Sequence, residues 1–77
     1  MKWKSVRKYG NPPVKDGVSK GCFILYQHKN FQFNRFIGTA YFQYGKWVDT
    51  DDPDYCYEDH NDIVTHWMEV EMPTEND

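Results

Sequence analysis

A strand-like stretch near the end of the chain, residues 63–73, places the strongest constraint on the fold. Read with the two-residue period of a β-strand, Ile63, Thr65 and Trp67 share one face, and the even-numbered residues share the other. Both faces are largely apolar, so we expect a paired strand that is covered on at least one side. Pro73 lacks the N–H that a ladder hydrogen bond needs, so the strand is expected to end there.

The core of so short a chain has to be built from aromatic side chains. Its 77 residues allow one small domain, residues 1–77, and aromatic residues make up 18% of them. Each buried aromatic side chain contributes roughly 4–6 kcal/mol of gross stabilisation at about 25 cal/mol/Å². We therefore expect Trp3, Trp47 and Trp67 to lie in or beside one core.

The rest of the chain alternates strand-like segments with turn residues. Strands are predicted at residues 3–6, 21–28, 31–44 and 47–48, and turns at residues 16–17, 29–30 and 45–46. Gly and Asn in these turns tolerate positive φ angles. The apolar residues within 31–44 change from odd to even positions, so we expect a bulge or bend between Asn34 and Gly38.

These patterns predict a mainly β protein, a single antiparallel sheet of four or five strands, with an α+β fold as the alternative. Asp52 before Pro53 is typical of a helix start. We therefore expect at most one short helical turn, inside the segment 49–62. The polar tail, residues 74–77, is expected to fray.

Charge is divided sharply between the two halves of the chain. All nine Lys and Arg lie in residues 1–46 with one acid, Asp16, giving +8, whereas residues 47–77 hold eleven acids and no base, giving −11. Two interpretations stay open. In the first, the halves pair in the fold so that the charges intermingle, and in the second, one of them forms an interaction surface.

The sequence predicts a cytoplasmic protein. The charged N-terminus is not followed by an apolar signal segment, and no apolar run is long enough to span a membrane. The two cysteines, Cys22 and Cys56, make no disulfide framework, so reduced thiols are expected.

Metal and catalytic sites find little support in the sequence. Cys56, His60 and His66 have a spacing that Cys22 would complete to four zinc ligands, but no Cys-x2-Cys pair anchors the set. The aspartates after residue 48 fail the calcium-loop spacing, in which Pro53 falls on a ligand position. No nucleophile, base and orienting group are identifiable together. We predict no metal, no cofactor and no enzymatic activity.

The acidic segment, residues 49–62, is the favoured partner-binding surface, because it presents negative charge to a basic partner and would imitate a nucleic-acid backbone. The predicted contact residues are Asp49, Asp51, Asp52, Asp54, Tyr55, Tyr57, Glu58, Asp59 and Asp62. The alternative is nucleic-acid binding by the basic first half, where bases stack on aromatic side chains. Its candidate residues are Lys2, Lys4, Arg7 and Lys8.

A family pattern runs through nearly the whole chain. It consists of Trp3-x-Ser5-Val6, Pro12-Pro13, Asp16-Gly17, the apolar residues 23–26, Ala40-Tyr41, Gly45-x-Trp47 and Val64-Thr65-His66-Trp67-Met68. This pattern resembles the small phage and prophage proteins of domain-of-unknown-function family 551. The chain departs from that family at residues 69–73, where the family has a Pro-rich run. Residues 31–37 look like an insertion, and residues 49–62 are unusually acidic.

The resemblance implies a compact, β-rich, phage-encoded protein and supplies no activity. Together with the acidic segment it predicts a small accessory protein that acts as a protein-interaction module. Such a module would inhibit or redirect a host protein, with defence enzymes and nucleic-acid enzymes as the classes considered.

Overall fold

The computed structural model describes residues 2–70, and within them an antiparallel sheet dominates. The strands are β1 (Lys4–Ser5), β2 (Val14–Lys15), β3 (Val18–Ser19), β4 (Cys22–His28), β5 (Phe31–Gln43), β6 (Lys46–Asp49) and β7 (Asp62–Glu69). The mainly β prediction is confirmed, whereas the number of strands is not four or five but seven, since three two-residue strands extend the sheet.

Two single helical turns occur in the described chain, where the sequence predicts at most one. They are α1 (Val6–Tyr9) and a 3-10 helix (Tyr57–His60). The predicted start at Asp52 is wrong, because the Asp52 carbonyl accepts the Tyr55 N–H at 2.9 Å and closes an isolated turn. The strand end predicted at Pro73 and the fraying predicted for residues 74–77 both lie outside the described residues.

The central strand is β4, which pairs with β7 on one side and with β5 on the other. On its far side β7 pairs with β1, so that Lys4 lies opposite Trp67. β3 and β6 pair with the second half of β5, and β2 follows β3. The first and last described strands are therefore neighbours in one sheet.

Turns connect the hairpin strands at or beside all three predicted places, and the predicted turn at residues 29–30 is confirmed. Asp16 and Gly17 have φ angles of 56° and 87°, and the predicted turn there is confirmed. The turn before β6 lies at Tyr44 and Gly45, with φ angles of 48° and 84°, one residue earlier than predicted. Both are hairpin turns that require positive φ at two successive residues, which places glycine at the second of them.

A bulge in β7 overturns the predicted faces of the closing strand. Leu25 pairs with His66 and the next residue of β4 pairs with Val64, so Thr65 is an extra residue. Its hydroxyl donates to the Leu25 carbonyl at 3.2 Å. As a result Trp67 and Val64 both face the core, while Ile63 is 41% exposed.

A second irregularity lies in β5, earlier than predicted. The regular pairing of β4 with β5 runs as far as Gln27 opposite Arg35, and the next pair joins His28 to Phe31. Residues 32–34 are therefore extra on β5, whereas the sequence predicts the bend between Asn34 and Gly38. The side chain of Phe33, within this bulge, is 97% exposed.

The core lies against one face of the curled sheet and is rich in aromatic side chains, as expected. Its buried residues are Cys22, Ile24, Ala40, Trp47, Tyr57 and Trp67. The prediction for Trp47 and Trp67 is confirmed, with exposures of 4% and 3%, whereas Trp3 is 38% exposed and lies outside this cluster. The Trp67 indole N–H donates to the Gly10 carbonyl at 2.9 Å, so its one polar atom is satisfied.

Replacing Trp67 by alanine is expected to lower the free energy of unfolding by about 3–5 kcal/mol, because it leaves a cavity in the core. This is a large part of the total stability of a small domain. Urea denaturation followed by circular dichroism measures the loss. Trp3→Ala is the matched control and should cost far less, and equal losses for the two variants would contradict this account of the core.

Candidate interaction surface

The acidic segment, residues 49–62, begins as a loop closed by backbone hydrogen bonds. Val48 and Cys56 form an isolated bridge, and the Asp49 N–H donates to the Tyr55 carbonyl at 3.0 Å. Two aspartate side chains support the loop from within. Asp49 Oδ1 accepts the N–H of residue 51 at 2.8 Å, and Asp52 Oδ1 accepts the N–H of residue 54 at 3.1 Å. The loop therefore holds a defined shape.

The two tyrosines of the segment point toward the core, and their hydroxyls donate hydrogen bonds to two carboxylates. The Tyr55 hydroxyl donates to Asp62 at 3.1 Å, and the Tyr57 hydroxyl donates to Asp49 at 3.5 Å. Tyr57 is only 4% exposed, with its ring 4.9 Å from that of Tyr26. Tyr57 is thus part of the core, and its hydroxyl makes its hydrogen bond within the fold.

Burial and negative charge keep these phenols protonated. Burial raises the pKa of Tyr55 to about 12, with the hydrogen bond to Asp62 as a further cause. The pKa of Tyr57 is also raised, first by burial and then by the charge of Asp49. Burial, followed by the charge of Asp62, raises the pKa of Tyr26. The cluster thus provides stable hydrogen-bond donors to two carboxylates.

Two further acids of the segment are used within the fold. Both carboxylate oxygens of Glu58 lie 2.9 Å from the backbone N of Trp47 and accept its N–H. Asp59 pairs with Lys46 at 3.2 Å, at a site where both side chains are more than half exposed. An exposed pair of this kind contributes little stability, about 0–1 kcal/mol.

Asp51, Asp52 and Asp54 place three carboxylates on the outside of the loop, and we call these residues the acidic triad. All three residues are exposed. Within residues 2–70 the only ion pair is that between Lys46 and Asp59, so the triad has no cationic partner there. In this part of the chain, that pair is the single ion pair that joins the basic half to the acidic half.

The alternative basic residues lie around β1 and α1. The side chains of Lys2, Lys4, Arg7 and Lys8 are exposed. The Lys4 ammonium lies 5.1 Å from the centre of the Trp67 ring, and that of Lys8 lies 5.3 Å from the centre of the Tyr9 ring. These cation–π contacts hold two of the charges beside aromatic faces. Ser5 caps α1 by accepting the Lys8 N–H at 3.1 Å.

The residues weighed as zinc ligands serve other contacts. The thiol of Cys22 is fully buried, and burial together with the charge of Glu69 raises its pKa to about 11. His60 stacks on Tyr55 with 4.0 Å between ring centres, and His66 lies 3.5 Å from the Arg35 guanidinium. Among residues 2–70, no three His, Cys, Asp or Glu side chains are grouped to hold a metal ion.

One exposed apolar surface is not predicted by the sequence analysis. The outer part of the β4–β5 hairpin exposes the side chains of Phe31, Phe33, Phe36 and Ile37 by 62%, 97%, 49% and 68%. The sequence offered two signals for it, the change of parity within residues 31–44 and the insertion relative to the resembling family. The change of parity predicts a bend and the insertion marks a departure from that family, and neither by itself predicts an exposed surface.

Comparison with known proteins adds no relative. No family model, no curated protein and no solved structure matches this chain. In the described part of the chain, no helix has the length and apolar character needed to cross a membrane.

Alkaline pH is expected to weaken the fold through the buried tyrosines. A raised folded-state pKa means that the folded protein holds the proton more tightly than the unfolded chain. The stabilisation is complete below about pH 10, the pKa of an unperturbed tyrosine, and is lost as the pH rises toward about 12, the pKa of folded Tyr55. Urea midpoints measured across this range check the effect.

Tyr55→Phe removes one of the responsible phenols and should flatten the pH dependence in that range. Tyr44→Phe, at a residue that is 76% exposed, is the matched control. An unchanged slope in the Tyr55 variant, or an equal change in both variants, would show that the cluster does not hold its protons as described.

Proposed function

We propose that this protein is a small phage-type accessory protein that binds a host protein and inhibits or redirects it through the acidic triad. A defence enzyme or a nucleic-acid enzyme, whose working surface is basic, is the class of partner considered. The observation that carries the proposal is the set of exposed carboxylates on a hydrogen-bonded loop with no ion pair to a cation within residues 2–70. The family resemblance supports the phage origin.

Electrostatics favours such a partner. Charges on an interaction surface steer the encounter with an oppositely charged protein and raise the association rate. A loop that already has its bound shape loses less conformational entropy on binding than a mobile one does. The Asp49 and Asp52 side chains, which accept backbone N–H groups, supply that shape. The triad would also repel phosphate, which favours a protein over a nucleic acid at this surface.

Nucleic-acid binding by the basic end is the second candidate. Lys8 lies beside Tyr9, a ring that is 57% exposed and able to stack on a base. The cations of this end are dispersed over β1, α1 and the preceding residues, and two of them rest on aromatic rings. We therefore rank this candidate second.

The discriminating experiment compares two variants of equal charge. Asp51→Asn with Asp54→Asn removes two charges from the triad and keeps the Asp52 hydrogen bond. Asp16→Asn with Glu69→Gln removes two charges elsewhere, so both variants have a net charge of −1 in place of −3. In pull-downs from nuclease-treated host lysate, the first variant should lose the captured protein and the second should keep it.

Kinetics on the captured protein gives the quantitative form of this test. At low salt the triad variant should associate about tenfold more slowly than wild type, and the difference should shrink as salt rises. Equal binding by both double variants would overturn the proposal. Recovery of nucleic acid alone from a parallel lysate without nuclease, abolished by Lys2→Gln, Lys4→Gln and Lys8→Gln together, would establish the second candidate instead.

A further inference from the structure

The outer part of β5 leaves one side of the sheet open. On the side away from β4, β6 pairs with residues 40–43 of β5, and the Thr50 N–H donates to the Thr39 carbonyl at 3.3 Å. Within residues 2–70, no strand continues beside residues 32–38 on that side. The β4–β5 hairpin therefore ends in an edge strand.

The hydrogen-bond pattern identifies which backbone groups face this edge. The Thr39 carbonyl points toward β6, whereas the N–H groups of Phe42 and Tyr44 point the opposite way, to Ser19 Oγ at 2.8 Å and to the Gly17 carbonyl at 3.0 Å. Successive residues of a strand point to alternate sides, and the pairing with β4 is regular from Arg35 to Ala40. Odd-numbered residues thus face away from β4, and the N–H and C=O groups of Arg35 and Ile37 lie on the open edge.

Apolar side chains flank these unpaired groups. Phe33 and Ile37 are 97% and 68% exposed, and Phe36 is 49% exposed although it packs against Tyr26 at 5.6 Å. Proteins normally shield an edge strand with charges, proline or a covering element, because an exposed apolar edge is a template for pairing with another strand. Here the open edge carries a single formal charge, that of Arg35.

We propose that a second copy of this chain covers the edge, with the two β5 strands paired antiparallel about a two-fold axis at Phe36. In this register Arg35 of each copy lies opposite Ile37 of the other. These residues exchange both hydrogen bonds, because both direct their backbone groups to the edge. A two-fold interface uses the same patch on both copies, and this register lets one segment satisfy itself.

The charges at the edge and the exposed apolar area both favour a second copy of the chain as the partner. The register places each guanidinium opposite an apolar side chain and not opposite its own copy, which avoids a like-charge pair. The exposed parts of Phe31, Phe33, Phe36 and Ile37 amount to about 500 Å² per copy at the usual size of such side chains. Two copies would bury about 1,000 Å², the lower bound for a specific interface, so a weak dimer is expected.

Two substitutions at Ile37 test the register by the sign of a charge. Ile37→Lys places a cation opposite Arg35 twice per dimer, whereas Ile37→Glu places an anion there and creates two cross-strand pairs. Both remove the same apolar surface. Sedimentation equilibrium of the full chain, from about 1 μM to about 1 mM, should show a dimer for wild type. The dissociation constant should rise about tenfold or more for Ile37→Lys and stay within about threefold for Ile37→Glu.

Amide hydrogen exchange on the wild-type chain provides a measurement that needs no variant. Protection of the Arg35 and Ile37 amides should increase with protein concentration, while the amide of Gly38, which faces β4, should stay protected throughout. The proposal is overturned if the wild-type chain remains monomeric at about 1 mM, the highest concentration of the sedimentation experiment. It is also overturned if Ile37→Lys and Ile37→Glu weaken the dimer equally. Protection that appears only with anionic phosphatidylglycerol vesicles would assign the edge to a membrane surface, and would overturn it as well.

Discussion

The burial of Trp67 is the interaction on which the rest of the sheet depends. Its strand lies between β1 and β4, so that Trp67 is opposite Lys4 on one side and Ile24 on the other. The indole N–H reaches the Gly10 carbonyl, and the Lys4 ammonium lies over the ring. One side chain thus joins the beginning, the middle and the end of the described chain.

The sequence predicts the type of structure well, but it predicts poorly which face of a strand each residue occupies. Strand periodicity, the Asp16–Gly17 turn and the burial of Trp47 all follow from side-chain chemistry that acts within a few residues. The extra residue at Thr65 does not, because a bulge arises from how two strands accommodate each other. The same holds for residues 32–34 of β5. A single inserted residue exchanges the two faces of a strand, so each bulge reverses the predicted exposure on one side of it.

The acidic segment shows the same limit at the candidate surface. Composition marks residues 49–62 as one block of negative charge, but the fold separates that block into two kinds of acid. Asp49, Glu58 and Asp62 accept hydrogen bonds from the core or from the strand beside it, whereas the triad faces outward. Which acids have which role depends on the tyrosine hydroxyls and on the Trp47 N–H. Those donors become neighbours only when β6, the 3-10 helix and β7 come together.

The pairing of β1 with β7 has a consequence for the order in which the chain acquires its structure. The β4–β5 hairpin is local and can form early, whereas β1 finds its partner more than sixty positions away, after β7 has been added to the other side of β4. Folds rich in such distant contacts form slowly. Until the sheet is complete, the earliest hairpin exposes both edges and the apolar side chains that β7 will cover. During this time, before β7 and β1 have joined the sheet, a newly made chain is most exposed to aggregation and to capture by chaperones.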